Sequence, residues 1–159
     1  MGYDKVKEYL NSIGIQFKIV EHEPAYTTEE ADKYIEGHDG VRTKTMFICN
    51  KKKTNLIIMD DSKRLDMNKF KEIVFEKQMK MASEEALKEK LGIKPGMVSP
   101  FGLLNNDEKD VKIYMDKEII IEEIMTFHPN DNTKKLFITT KDLFKYFENI
   151  GYELNIIEL

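Results

Sequence analysis

The chain has 159 residues, of which 41% are hydrophobic and 34% charged, with a formal net charge of −4. This size and composition predict a single globular domain over residues 1–159 with a core of its own. The negative net charge argues against a protein that coats long nucleic acids, although local lysine clusters leave short contacts open. Because no apolar run reaches membrane-spanning length and no signal peptide is evident, we expect a cytoplasmic protein that binds neither membrane nor DNA.

The residues that most often carry enzymatic chemistry are sparse. One cysteine, Cys49, excludes an internal disulfide and a multi-cysteine metal site. The three histidines, His22, His38 and His128, have no regular metal-ligand spacing. Phosphate-binding loops, the dinucleotide fingerprint and the common hydrolase and zinc motifs are all missing from the sequence. We therefore expect neither a metal nor a cofactor.

Apolar periodicity, caps and turn residues predict interleaved helices and strands in a mixed or antiparallel arrangement. The predicted helices span residues 4–13, 27–36, 66–74, 83–91 and 141–150, with Thr27, Asp66, Ser83 and Thr140 as caps. The predicted strands span residues 17–20, 43–50, 55–60, 77–82, 111–115, 118–121, 124–127, 135–139 and 153–157. Residues 51–53 are expected to form the tip of a hairpin.

A loop from Leu91 to Leu104 stands out because it is rich in glycine and proline and also apolar. These breakers predict neither a helix nor a central strand. Pro95 and Gly96 favour a type II turn in which Gly96 takes a positive φ and neighbouring N–H groups point one way, a geometry that binds anions. The alternative is a packed structural crossover without a ligand.

Four polar residues outside the helices merit attention: Lys44, Thr27, Ser99 and His128. Lys44 begins an apolar strand, where its ammonium could hold a phosphate or carboxylate, or simply end the strand in solvent. Ser99 has no neighbouring base, which disfavours a serine nucleophile. His128 precedes a proline in a loop, where a structural turn residue is the alternative.

Four segments occur in one order: residues 22–31 (HEPAYTTEEA), 43–47 (TKTMF), 96–103 (GMVSPFGL) and 127–133 (FHPNDNT). In this order and spacing the chain resembles the YbaK/prolyl-tRNA synthetase-associated editing domain family over nearly its whole length. It is most similar to the free-standing ProX or PrdX branch, which removes alanine from mischarged prolyl tRNA. The resemblance implies one α/β domain with a mixed, largely antiparallel sheet curled around a pocket and helices outside.

The resemblance also implies a site. Lys44 corresponds to the essential lysine near the terminal adenosine and its phosphate, and His128 corresponds to the pocket histidine. The family's Gly-x-x-x-Pro loop is Gly96, Met97, Val98, Ser99 and Pro100, whose backbone holds the aminoacyl group. Thr27 and Gly102 lie in the matching motifs and are further candidates for substrate binding.

An aminoacyl ester is already labile, so its hydrolysis needs positioning and oxyanion stabilisation more than a strong nucleophile. We expect a water to attack with help from backbone N–H groups and the substrate's ribose hydroxyl, so that a small pocket removes alanine and rejects proline. The expected partners are the tRNA(Pro) acceptor end and prolyl-tRNA synthetase. Two alternatives stay open: a deacylase for Cys-tRNA(Pro) or another small aminoacyl-tRNA, and a non-catalytic module that binds a tRNA end or a synthetase.

Overall fold

The computed structural model describes residues 2–24 and 27–159. The helices in this part of the chain are α1 (Tyr3–Ser12), α2 (Thr28–Lys33), α3 (Met67–Ile73), α4 (Glu84–Leu91) and α5 (Thr140–Ile150). The strands are β1 (Lys18–Glu21), β2 (Val41–Cys49), β3 (Thr54–Asp60), β4 (Lys80–Met81), β5 (Val111–Asp116), β6 (Ile124–Phe127), β7 (Lys134–Thr139) and β8 (Leu154–Ile157). Two 3₁₀ helices, Pro100–Asn105 and Lys117–Ile119, complete the elements.

The strands form one mixed sheet in the order β1-β7-β6-β2-β3-β5-β8, with β4 added beside β2. The β1–β7, β7–β6, β2–β3 and β2–β4 pairs are antiparallel, whereas β6–β2, β3–β5 and β5–β8 are parallel. The mixed and largely antiparallel α/β fold that the sequence predicts is therefore confirmed. In the described residues no helix is long and apolar enough to cross a membrane.

The two faces of the sheet differ in chemistry. One face is apolar along its whole width and packs against α1, α4 and α5. On the other face the strands β2, β3 and β5 pack a smaller apolar cluster against α3. The half of this second face that belongs to β1, β7, β6 and the start of β2 also carries polar and charged side chains, and this difference positions the candidate site.

Local signals in the sequence explain most element boundaries. The carboxylate of Asp66 accepts from the Lys69 amide at the start of α3, and Ser83 Oγ accepts from the Ala86 amide at the start of α4. Gly92 and Gly151 end α4 and α5 in the left-handed conformation that helix C-caps favour. The predicted hairpin across residues 51–53 is confirmed by the antiparallel pairing of β2 with β3.

Three local predictions are wrong. Residues 118–121 are not a strand, because Asp116 Oδ1 accepts from the Glu118 amide and turns the chain into a 3₁₀ helix. The residues from Pro100 onward in the glycine-rich loop also form a 3₁₀ helix. The cap of α5 is Thr139 instead of Thr140, since Thr139 Oγ1 accepts from the Asp142 amide, while the Thr140 hydroxyl donates to the Glu122 carbonyl.

Candidate active site

The polar half of the sheet face gathers side chains from four strands. Arg42 of β2 pairs with Thr126 of β6 in parallel register, and Lys44 and His128 each lie two residues further along. Side chains two residues apart on a strand share a face, so Lys44 and His128 belong to the same face and lie at the same level along these neighbouring strands. Two of the residues predicted for the site are thereby brought together.

Lys135 extends this row on β7. Its neighbour Leu136 pairs with Phe127, so Lys135 lies beside His128 on the polar face. The side chain of Lys135 is buried, with 1% of its surface exposed, and its Nζ lies 3.7 Å from Asp32 Oδ1 of α2. Burial lowers the pKa of Lys135, while the charges of Asp32 and Asp61 oppose that effect. A cation is therefore held inside the fold under α2.

Asp61 completes the cluster from the end of β3, where its backbone amide donates to the Arg42 carbonyl at 2.8 Å. Burial, together with a hydrogen bond to Asp32, raises the pKa of Asp61 to about 8. Asp61 consequently keeps its proton at neutral pH. Asp32, Asp61 and Arg42 line a cavity of about 660 Å³, which is also bounded by Glu29 and Lys33 of α2 and by Glu36 beyond the end of that helix.

His128 is a neutral imidazole at physiological pH. Burial and the nearby charge of Lys135 lower the pKa of His128 to about 4. Its Nδ1 is buried and has no hydrogen-bond partner among the described residues, as is also the case for the Nε2 of His22. A neutral ring with an unused nitrogen can accept or donate one hydrogen bond to a bound substrate.

The glycine-rich loop forms the turn that the sequence predicts. The Met97 amide donates to the Lys94 carbonyl at 3.2 Å, and Gly96 between them has a φ of 85°. In the part of the chain that the structure describes, the amides of Val98 and Ser99 donate to no protein acceptor. The amide of Gly96 likewise has no acceptor among the described residues, so Gly96, Val98 and Ser99 are loop residues with unpaired N–H groups for a substrate oxygen.

The C-terminal part of the loop, at Ser99 and Pro100, is held by hydrogen bonds to the rest of the fold. Ser99 is fully buried, and its Oγ bonds to Asn130 Oδ1 at 2.8 Å while accepting from the Phe101 amide at 3.1 Å. The Pro100 carbonyl accepts from the Tyr146 hydroxyl at 3.0 Å. A Cβ on Gly102 would approach Leu91 Cβ to 3.2 Å, which explains the glycine by packing. Ser99, Pro100 and Gly102 therefore hold the loop in place, and the Ser99–Asn130 bond joins it to the segment that carries His128.

Thr27 acts as a helix cap, because its Oγ1 accepts from the Glu30 amide at 3.1 Å. The capping role predicted for Thr27 is confirmed, whereas its contact with substrate stays a prediction. Residues 25 and 26 of the same motif lie outside the described residues. Nearby, the ring of His22 stacks on Tyr34 with centroids 4.9 Å apart. The segment before α2 is thus attached to that helix on the polar side of the sheet.

Comparison with known proteins identifies this arrangement. The model of the aminoacyl-tRNA editing domain matches residues 22–146. The chain belongs to this editing domain family. It is 31% identical over 153 residues to the prolyl-tRNA editing protein ProX of Acetoanaerobium sticklandii, covering 94% of this chain and 93% of the relative. It is 26% identical to the prolyl-tRNA synthetase associated domain-containing protein 1 of Danio rerio, covering 91% of this chain and 80% of that protein.

The fold of the editing domain is also similar to solved structures. A structure titled as a candidate trans-editing enzyme for prolyl tRNA synthetase aligns with a TM-score of 0.77 at 20% identity, over 99% of this chain and 96% of the other. The family match and the relationship to ProX establish the chain as an aminoacyl-tRNA hydrolase of the editing type. Its substrate is a tRNA carrying an amino acid ester.

Sequence reasoning missed three members of the polar cluster of this editing domain, Asp32, Arg42 and Asp61, and treated Lys135 only as part of a local lysine cluster. Each looks like an ordinary charged residue at the end of an element. One signal was available, because Lys135 directly precedes the apolar run of β7. Its counterparts lie about 70 to 100 residues away along the chain, and only the strand order places them together.

Proposed function

We propose that this editing domain hydrolyses the ester of mischarged Ala-tRNA(Pro) and that Lys44 and the 96–100 loop form its active site. The observation that carries the proposal is the geometry around β2. Lys44 lies level with His128 on one face of the sheet, and the loop anchored to Asn130 has two adjacent amides, those of Val98 and Ser99, without a hydrogen-bond acceptor in the described residues. The relationship to ProX favours a prolyl-tRNA substrate. Prolyl-tRNA synthetase is the partner that would deliver it.

In the proposed reaction the loop binds the reacting carbonyl. The Val98 and Ser99 amides donate to the carbonyl oxygen, where negative charge develops as water attacks. Fixed donors of this kind contribute on the order of 3 kcal/mol each in characterised hydrolases. Their positions are preorganised because Ser99 is held by Asn130 and the following turn is capped by Ser99 Oγ.

The cation of Lys44 is proposed to bind the phosphate or ribose oxygens of the terminal adenosine. Lys44 is half-buried in a strand and makes no ion pair with a described residue. It can therefore present its full charge to a substrate. Neutral His128 is proposed to contact the amino acid part of the ester, where it helps to determine which amino acid side chain fits in the pocket.

Steady deacylation of Ala-tRNA(Pro), Cys-tRNA(Pro) and Pro-tRNA(Pro) by the purified protein tests the assignment. We expect alanine to be released and proline to be retained, because one or two extra methylenes in a small pocket cost about 1–3 kcal/mol. Faster hydrolysis of the cysteinyl ester would reassign the substrate. Equal hydrolysis of all three esters would refute the proposed specificity. Hydrolysis of none of them, while tRNA still binds, would refute the catalytic role.

Substitution of Lys44 by alanine tests the site. We expect a loss of at least about 100-fold in kcat/KM with the free energy of unfolding little changed, a loss comparable to removal of one charge-stabilising donor. Lys112→Ala on β5, an exposed strand lysine, is the matched control and should retain full activity. His128→Ala is expected to lose less activity and to alter the ratio of alanyl to cysteinyl turnover. Equal activity of the Lys44 and Lys112 variants would remove Lys44 from the mechanism.

A further inference from the structure

A second cavity, of about 1080 Å³, lies at the far end of β2 from the active site. It is formed by the hairpin tip, the C-terminal end of α3 and the segment that leads to β4. Its lining includes five lysines, Lys51, Lys52, Lys71, Lys77 and Lys80, and a single acidic residue, Glu76. Glu76 is already paired with Lys53 at 3.3 Å. We call this surface the lysine pocket.

The five lysines make no ion pair with any described residue, in a protein whose net charge is −4. Lysines that line one cavity repel one another, and this repulsion lowers the stability of the fold. The same arrangement attracts an extended anion such as a nucleic acid backbone.

Phe75 supplies an independent observation at the same place. Its side chain is 92% exposed, although phenylalanine normally avoids water. Its φ of 57° puts it in the left-handed conformation directly after α3, a position that usually holds glycine. Phe75 thus costs stability twice, through the exposure of its apolar ring and through its left-handed backbone, and the exposed ring gains little packing within the fold. An exposed ring within a lysine-lined cavity is the combination that stacks on bases beside a backbone.

The distance to the active site suits one polynucleotide. From Lys44 to Cys49, which lines the lysine pocket, is five residues along β2, or about 17 Å at the rise of an extended strand. Successive nucleotides in a duplex advance about 3.4 Å per strand. A tRNA with its terminal ester at Lys44 would therefore bring nucleotides roughly five positions away to the lysine pocket.

We infer that the lysine pocket and Phe75 bind the acceptor region of the tRNA substrate, several nucleotides from the ester. This inference rests on the proposed function, because the tRNA runs along β2 toward the lysine pocket only if its terminal ester lies at Lys44. The lysines contact phosphates and the ring of Phe75 stacks on an unpaired or terminal base. The contact adds positive charge for tRNA binding in a protein whose net charge is −4, and it makes recognition depend on the tRNA body as well as on the amino acid.

The test measures binding separately from hydrolysis. Fluorescence anisotropy of 5′-fluorescein-labelled, uncharged tRNA(Pro) reports affinity for the wild type and for a triple variant, Lys51→Gln, Lys52→Gln and Lys77→Gln. We expect the triple variant to bind tRNA(Pro) more than about tenfold more weakly at physiological salt. The slope of the logarithm of the association constant against the logarithm of the salt concentration should become less negative by roughly two to three. The control is the variant Lys88→Gln, Lys141→Gln and Lys145→Gln, which removes the same charge from exposed helix positions and should bind as the wild type does.

Two ring variants and two substrates sharpen the result. Phe75→Leu keeps an apolar side chain and should lose affinity roughly tenfold, whereas Phe75→Trp keeps an aromatic face and should preserve it. With Ala-tRNA(Pro) the triple variant should show a raised KM and an unchanged kcat. With the alanyl ester of the CCA trinucleotide, which is too short to reach the lysine pocket, it should match the wild type.

The outcomes separate this inference from the proposed function. If neither ester is hydrolysed but the triple variant still loses tRNA affinity, the proposed function fails and the binding surface stands. If both triple variants bind tRNA equally, or if the lysine-pocket variant loses activity on the trinucleotide ester as well, the inference is overturned.

Discussion

Asp61→Asn should stabilise the protein at alkaline pH and leave it unchanged at acidic pH. Asp61 has a pKa of about 8 in the folded protein, against 3.8 for an unperturbed aspartate, because burial and the neighbouring Asp32 disfavour its ionised form. Below about pH 3 the folded and unfolded chains both carry the proton. As the pH rises toward 8, the unfolded chain releases its proton first, so the stability of the folded state falls across this window.

The size of the effect follows from the same values. About 1.4 kcal/mol per pH unit across the window gives an upper bound of about 6 kcal/mol. Because Asp61 is partly exposed, solvent screening reduces this bound, and we expect roughly 2–3 kcal/mol at pH 8. Asparagine has nearly the same shape, and its amide can donate to Asp32 as the protonated carboxyl does. The variant therefore removes the titration without opening a cavity.

Urea unfolding at pH values from 3 to 9 measures the difference in the free energy of unfolding directly. The free energies of wild type and Asp61→Asn should coincide near pH 3 and diverge until about pH 8, where a thermal scan should show that the variant melts roughly 5–10 °C higher. Asp39→Asn removes a carboxylate from an exposed position and should run parallel to the wild type at every pH. A variant that follows the wild-type curve, or that is less stable at pH 8, would refute the raised pKa of Asp61.

Three further predictions concern the loop, the lysine pocket and the histidine. Ser99→Ala should lower the free energy of unfolding by about 1–3 kcal/mol in urea titrations, because it leaves buried Asn130 Oδ1 and the Phe101 amide without a partner; an unchanged value would mean that the loop is anchored elsewhere. Phe75→Gly should raise that free energy by about 1 kcal/mol, since glycine relieves the left-handed backbone, and a loss of stability would show that the exposed ring packs in solution. Because the pKa of His128 is about 4, the rate of deacylation, corrected for spontaneous ester hydrolysis, should show no inflection from this residue between pH 5 and 8. An inflection there that disappears in His128→Ala would contradict the neutral, buried ring.

The sequence was most informative where a local signal fixes a local structure. Side-chain caps such as Asp66 and Ser83 and the terminal glycines determined where helices begin and end, because a cap satisfies backbone groups within three or four residues. The Pro-Gly pair likewise determined the turn at Gly96. Where two local signals competed, as at Asp116, the side chain that could reach a backbone amide decided for a 3₁₀ turn against the strand pattern.

The sequence by itself thus determined most of the elements, the mixed α/β class and, through four ordered motifs, the editing family. Only the tertiary structure decided which charged residues act together. Asp32, Asp61 and Lys135 are separated by tens of residues, and their mutual effect on protonation exists only because β7, β6, β2 and β3 are neighbours in one sheet with α2 across its polar half. Electrostatic interaction depends on distance in space and on burial, and neither is encoded in the spacing of charges along a chain.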